Sequence, residues 1–356
     1  MEFPKSPSRR TATLFAGLVA TIALVVGVYT VPVPFVTMRP GPTYDTLGEF
    51  DGAPMFTFAD DVRTYPADGQ IHFTTISVTR AESSITFATA LGAWLDDDVE
   101  VVPHEFVYPD EQSNEESAKQ SQAALTSSKD NSRAAALRAA GFEVGEEAVI
   151  AEVQEGAPAL GKLQAGDVLV AIDGQEIADP DEAGTRIADR EPGDPVNIAF
   201  RRGDAVVEET IVTGAMPDDE KRPRIGVLIS RSYDFPVEIE NNVGDTVGGP
   251  SAGMMFALAI YDRLTPGSLT AGRHIAGTGT VNGDGQVGPI GGVRQKIAGA
   301  KRDGAEVFLL PASLCDEATA ESVDDIKLIP MTSLSDAVSS LEAIAKDPKA
   351  KVPTCS

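Results

Sequence analysis

The chain divides into stretches that differ in their pattern of apolar and polar residues. No charged residue occurs from Thr11 to Met38, and such a stretch is long enough to cross a hydrocarbon core as one helix. From Gln70 to Thr79 apolar and polar residues alternate, which predicts a half-buried strand. Between Ser83 and Leu95 the spacing becomes helical, so we expect Trp94 to be a core or domain-packing residue.

The middle of the chain has the pattern of a small separate domain. Between Gly141 and Thr213, short apolar runs such as VLVAI and PVNIAF alternate with turn signals such as Asp173-Gly174, which predicts short strands in a β-rich unit. A charged, proline-containing link, MPDDEKRPR, follows it. The runs IGVLISR and FPVEIE after this link are also strand-like.

A serine follows these strands at a glycine-proline bend. Gly249 to Gly253 read GPSAG, which matches the G-x-S-x-G turn of hydrolases that use serine and histidine. The sole histidine after Ser251 is His274, so a serine-histidine triad is poorly supported. Met254, Met255 and the apolar residues after them have helical spacing, so Ser251 precedes a buried helix whose free amides could stabilise an oxyanion. An ordinary serine cap is the alternative.

A lysine offers a base for that serine. Val293, Ile297 and Ala300 share one face of a predicted helix, and Lys296 lies beside them, where burial would lower its pKa and leave a neutral amine. Lys301 borders the same face. The periodicity alone therefore does not choose between the two lysines.

Composition narrows the possible partners. The 29 basic residues stand against 54 acidic ones, a net charge of -25, so the chain lacks the cationic surface that nucleic acids require. His72, His104 and His274 have no short ligand spacing, which predicts no metal site. No G-x-x-x-x-G-K-[ST] phosphate loop occurs, and we expect no cofactor. Pairing of Cys315 with Cys355 stays open.

The apolar N-terminal stretch has a charge asymmetry. Lys5, Arg9 and Arg10 precede it, which favours a cytoplasmic tail at residues 1–10, an anchor at 11–38 and an extracytoplasmic remainder. A cleaved signal peptide is the alternative. We favour a retained anchor because the stretch is longer than a usual signal h-region and lacks a clear cleavage site.

The segment GAPALGKLQAGDVLVAIDGQEI resembles the PDZ domains of bacterial membrane and periplasmic proteases. This resemblance implies a PDZ domain at residues 141–215 that binds extended C-terminal peptides. The loop that takes the peptide's carboxylate would then lie at Gly141, Phe142, Glu143 and Val144. A unit that only spaces or gates the catalytic domain is the alternative.

A second resemblance covers about 100 residues. PSAG before an apolar helix, then a Thr-Gly strand, then G-x-V-x-P-I-G-G-φ-x-x-K, is similar to the proteolytic domain of Lon proteases. It implies that Ser251 is the nucleophile, Lys296 the general base and Thr278 the residue that orients the lysine, in a proteolytic domain at residues 224–347. It also suggests a ring-shaped homo-oligomer. Lon enzymes commonly carry an acidic residue three positions before the serine, where this chain has Gly248.

The order of these segments resembles the membrane-anchored, PDZ-containing Lon-like serine proteases of Gram-positive bacteria. We expect an α+β chain with an N-terminal transmembrane helix, a PDZ domain and a Lon-type proteolytic domain, and with a linker and the first part of the protease at residues 39–140. The PDZ domain would be an insertion. The predicted function is that of a serine endopeptidase of protein substrates without its own ATPase. The alternative is a non-catalytic PDZ adaptor with a degenerate protease domain.

Overall fold

The computed structural model describes residues 9–108, 113–177, 180–217, 219–244, 246–319 and 325–355. The chain forms two compact units. The first contains Met1–Ala140 and Ile239–Ser356, and the second contains Gly141–Glu238. The second unit is therefore inserted between the two halves of the first.

The helices are distributed over both units, and α5 belongs to the second. They are α1 (Arg9–Thr30), α2 (Phe87–Trp94), α3 (His104–Val107), α4 (Asn114–Ala139), α5 (Pro180–Ala188), α6 (Gly253–Leu264), α7 (Val293–Arg302), α8 (Cys315–Ala318) and α9 (Leu334–Lys346). A 3-10 turn at Ala312–Leu314 precedes α8.

The strands are numbered in the same way. Before the insertion they are β1 (Pro32–Val33), β2 (Phe35–Asp45), β3 (Glu49–Phe50), β4 (Ala53–Pro54), β5 (Phe56–Phe58), β6 (Gln70–Val78), β7 (Ile85–Thr86) and β8 (Glu100–Pro103). The second unit has β9 (Gly145–Val153), β10 (Val168–Ile172), β11 (Gln175–Glu176), β12 (Pro195–Arg202), β13 (Ala205–Val212), β14 (Gly214–Ala215), β15 (Pro223–Arg224) and β16 (Val227–Asp234). The remaining strands are β17 (Ile239–Asn241), β18 (His274–Gly277), β19 (Thr280–Val281), β20 (Val287–Gly288), β21 (Val307–Pro311) and β22 (Lys327–Met331).

Helix α1 is long and apolar enough to cross a membrane by length and composition, with a mean hydropathy of 2.2 over its most apolar window. It is shorter than the predicted anchor. The prolines Pro32 and Pro34 end the helical run, since proline lacks the N–H that a helix interior needs, and β2 begins at Phe35. Residues 35–38 thus belong to the sheet of the first unit. Residues 1–8 of the predicted tail lie outside the described part of the chain.

The main sheet of the first unit has the strand order β22-β21-β18-β6-β2-β8. Strand β6 is the predicted strand at residues 70–79, and it pairs in parallel with β18 and antiparallel with β2. Helix α6 packs against this strand. Phe73 and Phe256 contact each other edge to face, with ring centroids 5.3 Å apart. The two halves of the discontinuous unit are therefore joined through one buried sheet.

The sheet of the second unit has the order β13-β12-β10-β9-β16, with β11 beside β10. Strand β16, which the sequence pattern places in the proteolytic domain from residue 224, pairs with β9 along its whole length. Burial alternates along β16, because one face of the strand packs on the core of this unit, and this alternation makes the sequence strand-like. The same alternation does not indicate which of the two sheets the strand joins. The second unit thus extends to Glu238 instead of residue 215.

The helical prediction at residues 83–95 is partly confirmed by α2, but Trp94 is 74% exposed. The expectation of a core position for this tryptophan is wrong. Its side chain lines a shallow apolar groove together with Phe35, Phe87 and Leu91. Helical periodicity predicts an apolar face on α2, and the structure has one. Periodicity cannot tell whether another segment covers that face, and no described part of the chain does.

Cys315 and Cys355 form a disulfide bond across a sequence separation of 40 residues. Cys355 also packs against the apolar cluster that contains Val293, Ile297 and Ala300 of α7. The C-terminal tail is therefore fixed to the core that supports α7.

Candidate active site

Ser251 lies in a tight turn directly before α6. Gly249 takes a left-handed φ of 82°, which favours glycine at this position. The serine is half-buried in a cleft of about 440 Å³. Strand β6 contributes Thr74 to Ser77 to the same cleft, so its wall comes from both halves of the first unit.

Lys296 reaches Ser251 from α7. Val293, Ile297 and Ala300 of this helix are buried, as their spacing predicted, and Lys296 itself is only 2% exposed. Its Nζ donates hydrogen bonds to Ser251 Oγ at 2.8 Å and to Thr278 Oγ1 at 3.0 Å. Burial lowers the pKa of Lys296 to about 7, because the low-dielectric surroundings disfavour the charged amine.

The second candidate lysine occupies a different environment. The Lys301 side chain is 32% exposed, and its Nζ lies 3.9 Å from Asp325. The structure therefore distinguishes two lysines that periodicity left equivalent. Of the two, Lys296 makes the contact with the serine.

Thr278 follows β18 and is fully buried. Its hydroxyl donates to the carbonyl oxygen of Ser251 at 3.0 Å and accepts from Lys296. Because both contacts use one hydroxyl group, Thr278 fixes the lysine relative to the serine backbone. The three residues singled out from the sequence thus lie together.

The backbone at the start of α6 provides hydrogen-bond donors near the serine. The amides of Gly253 and Met254 donate to the carbonyls of Pro250 and Gly279. The amides of Ser251 and Ala252 make no hydrogen bond to another backbone group in the described part of the chain. They are the remaining donors at this helix end, where the dipole favours a negative charge.

Helix α4 supports the loop that carries the serine, a role that the sequence did not suggest. Its Ser121 carbonyl accepts from Gly249 N at 2.9 Å, Gln122 Nε2 donates to the carbonyl of Val247 at 3.0 Å, and Ser128 Oγ donates to that of Pro250 at 3.0 Å. Ser121 and Ser128 are seven residues apart and so lie on one helix face. This spacing of two small polar residues is the feature of the sequence that could have indicated the contact between α4 and the serine loop.

Gly248, where Lon enzymes commonly carry an acidic residue, also contacts α4. A Cβ atom at this position would approach the Ser121 Cβ to 2.9 Å. The close approach of the loop to α4 therefore requires glycine.

We expect Gly248→Asp to lower activity instead of improving it, because a side chain there would push the loop away from α4. We expect a loss of about 10²-fold in kcat/KM, as for other displacements of about 1 Å at a reacting group. Steady-state peptidase kinetics measure it, with Gly184→Ala in α5 as the control, since a Cβ atom at that glycine meets nothing within 4 Å. A Gly248→Asp enzyme at least as active as the parent would contradict this explanation.

The residues predicted to bind a peptide in the second unit lie directly before β9. Gly141 to Val144 lead into β9, which is paired with β16 on one side and with β10 on the other. Among the described strands, the two edges of this sheet are β13 and β16, and β16 is the edge beside β9. The segment before β16, Arg224 to Val227, contains Gly226 with a φ of 75°. Sequence reasoning assigned β16 to the other domain and so missed this edge.

Comparisons with known proteins find two domains. Residues 120–212 match the PDZ domain family, and residues 241–342 match the Lon protease (S16) C-terminal proteolytic domain. The PDZ match begins inside α4, before the compact second unit.

Among curated proteins, the chain is 30% identical to the Lon protease of Campylobacter concisus over 149 residues, which cover 39% of this chain and 18% of that protein. It is 34% identical to the Lon protease of Mycolicibacterium smegmatis over 97 residues, which cover 25% and 12%. The chain thus spans under a fifth of the length of these relatives.

Among solved structures, the PDZ domain of the SdrC-like protein of Listeria innocua is 32% identical and covers 23% of this chain and 92% of that chain, with a TM-score of 0.22. The chain is an α+β protein that combines an N-terminal apolar helix, a PDZ domain and a Lon-type serine peptidase domain.

Proposed function

We propose that this protein is a membrane-anchored serine endopeptidase that uses Ser251 and Lys296 as a catalytic dyad. The observation that carries this proposal is the 2.8 Å contact between Ser251 Oγ and the buried amine of Lys296. With a pKa of about 7, a substantial fraction of this amine is neutral near neutral pH and can accept a proton.

The proposed reaction follows acyl-enzyme chemistry. Ser251 Oγ attacks the scissile carbonyl carbon while Lys296 Nζ takes the hydroxyl proton, and the carbonyl oxygen becomes an oxyanion. We assign the amides of Ser251 and Ala252 to that oxyanion, since their neighbours at the helix end already have acceptors. Lys296 then returns the proton to the leaving amine. A water molecule, deprotonated by Lys296, hydrolyses the resulting ester.

The cleft supports a substrate in extended conformation. Strand β6 pairs with β18 only from Gln70 to Phe73. From Thr74 to Ser77 it lines the cleft beside Ser251. Backbone groups on that side can pair with a substrate strand, which requires the substrate to be locally unfolded.

Hydrolysis of an unstructured polypeptide by the full chain in detergent micelles tests this proposal. We expect fragments to accumulate with the parent protein and not with Ser251→Ala. The adaptor alternative predicts binding of the polypeptide without fragments. Equal cleavage by both proteins would exclude Ser251 as the nucleophile and indicate a contaminating protease.

We further propose that the PDZ unit binds peptide C-termini along β16. Helix α5 packs against this strand, and Arg231 of β16 forms an ion pair with Asp181 of α5 at 3.0 Å.

A Cβ at Gly226 would approach the Ala157 Cβ to 2.2 Å, so Gly226→Val should distort the loop and weaken peptide binding. Phe142→Ala is the control at the originally predicted loop. If Phe142→Ala alone weakens binding in a fluorescence anisotropy titration, the original loop is the site.

The anchor and its orientation are also proposals. Directly after α1, Phe87 N donates to the carbonyl of Val31 at 3.2 Å, which attaches α2 close to the end of the apolar helix. The exposed Phe87, Leu91 and Trp94 of α2 have the side chains that occupy membrane interfaces. We infer that α1 is retained and that this face of α2 lies against the lipid, with the following domains outside the cytoplasm.

Trp94 is the sole tryptophan of the chain and therefore reports on this contact. Its fluorescence should be quenched when the full chain is reconstituted into vesicles of brominated phospholipid. An unquenched tryptophan would contradict the lipid contact. Protease protection on intact cells tests the orientation separately, because full protection of the catalytic domain would place it in the cytoplasm.

The Lon resemblance also supports a homo-oligomeric ring. Analytical ultracentrifugation of the full chain in detergent tests this proposal, and a strictly monomeric but active protein would exclude it.

A further inference from the structure

Three side chains that are far apart in the sequence meet at one end of the first unit's sheet. They are His72 on β6, His274 on β18 and Asp303 at the end of α7, and their potential metal-binding atoms all lie within 4.8 Å of one another. The sequence predicted no metal site because these histidines lack a short ligand spacing. The parallel pairing of β6 with β18 brings them together.

The distances from both histidines to Asp303 are close to those that a small cation requires. His274 Nε2 lies 3.4 Å from Asp303 Oδ2, and His72 Nδ1 lies 2.8 Å from the same oxygen. Ligands bound tetrahedrally to Zn²⁺ at about 2.1 Å are about 3.4 Å apart. The distance between His274 and Asp303 therefore already fits, and the distance between His72 and Asp303 must lengthen by roughly half an ångström.

A fourth oxygen lies next to these atoms. Thr43 Oγ1 is 2.5 Å from Asp303 Oδ2 and 3.1 Å from His72 Nδ1. It can bind a cation weakly or hold a water molecule that completes the coordination. The carboxylate side chain is 41% exposed, so an ion can reach the group from solvent.

Two ring nitrogens of this cluster lack hydrogen-bond partners among the described residues. Both His72 Nε2 and His274 Nε2 are buried and make no hydrogen bond to described residues. A buried polar nitrogen without a partner is costly. A cation bound to His274 Nε2 would satisfy the atom that points towards Asp303.

We propose that His72, His274 and Asp303 bind one divalent transition-metal ion, with Zn²⁺ as the best match to two imidazoles and one carboxylate. The site is structural, because it lies at the end of α7 and not in the cleft. His274 precedes Thr278 by four residues on the same chain segment, and Asp303 follows Lys296 by seven. A bound ion thus ties together β6, β18 and α7, the elements that carry the cleft wall, Thr278 and Lys296. This inference rests on the cluster alone and does not require the proposed peptidase activity.

Metal binding by the full chain in detergent, stripped with a chelator and then titrated with Zn²⁺, tests the proposal. We expect one Zn²⁺ per chain by elemental analysis and a rise in Tm on binding. Co²⁺ in place of Zn²⁺ should give the visible absorption of a tetrahedral site, a readout that needs no variant.

Two substitutions and one control complete the experiment. His274→Gln and Asp303→Asn should each weaken Zn²⁺ binding at least tenfold and abolish the rise in Tm. His104→Gln removes the remaining histidine, whose Nε2 contacts the Ala81 carbonyl at 2.6 Å, and should bind Zn²⁺ like the parent. Absence of stoichiometric binding by the parent would overturn the proposal and leave an ion-free His-Asp-His cluster. Unchanged binding by His274→Gln and Asp303→Asn would also overturn it.

Discussion

Replacing Lys296 by methionine should abolish peptide hydrolysis while the protein stays folded. The proposed mechanism gives this amine both proton transfers, and general acid-base groups typically contribute about 10²- to 10⁴-fold to the rate. We expect a fall in kcat of about 10³-fold or more, with little change in KM. The reason is that the amine contacts the serine hydroxyl, while the cleft walls that would hold the substrate are unchanged.

A structural role for Lys296 predicts a different outcome. Burying an amine is unfavourable, and methionine has a similar length without a charge, so Lys296→Met should be at least as stable as the parent in a urea titration. Lys301→Met is the matched control on the same helix, and it should keep its activity. Loss of activity accompanied by a lower Tm would show that Lys296 acts through the fold instead of through the reaction.

Peptidase activity should rise with pH through the pKa of Lys296, which is about 7. Only the neutral amine can accept the Ser251 proton, so kcat/KM should increase about tenfold per pH unit below this pKa and level off above it. The measurement is the pH dependence of kcat/KM on a peptide substrate. A profile that is flat from about pH 5 to about pH 9 would contradict a lysine base.

The same pKa makes a prediction about stability. The pKa of Lys296 is lowered in the folded state from 10.5 to about 7, so between these values the unfolded state binds more protons. The free energy of unfolding should therefore increase as pH rises through this window, by at most about 1.4 kcal/mol per pH unit. Lys296→Met should lose this increase, which a comparison of urea titrations at both ends of the window would reveal.

The sequence alone predicts those parts of the site that are encoded in short, continuous stretches of the chain. PSAG before an apolar run and a lysine on an amphipathic helix are local patterns, and they led to Ser251 and Lys296. The choice between Lys296 and Lys301 needed the resemblance, because both border the same helix face. Their difference in burial arises from the packing of α7 against β2 and β6, which periodicity cannot express.

The features that were missed depend on which distant segments become neighbours. Strand β16 looked like any half-buried strand, so its sheet could not be deduced and the domain boundary was placed too early. His72 and His274 are 202 positions apart in sequence, and only the pairing of β6 with β18 makes them a cluster. The support that α4 gives to the serine loop was hidden for the same reason, since an inserted domain separates the two segments.

The discontinuous first unit also determines when this protein can complete its fold during synthesis. Thr74 of β6 bonds to the carbonyl of Gly277, 203 residues later, and Ser128 of α4 bonds to that of Pro250, 122 residues later. Contacts of such long range form late, because the closing of a long loop precedes any gain from the contact. The inserted unit has its own core and can fold first. A nascent chain therefore holds β6 and α4 without their partners until most of the chain has emerged, and the cleft around Ser251 cannot be assembled before Lys296 has been synthesised.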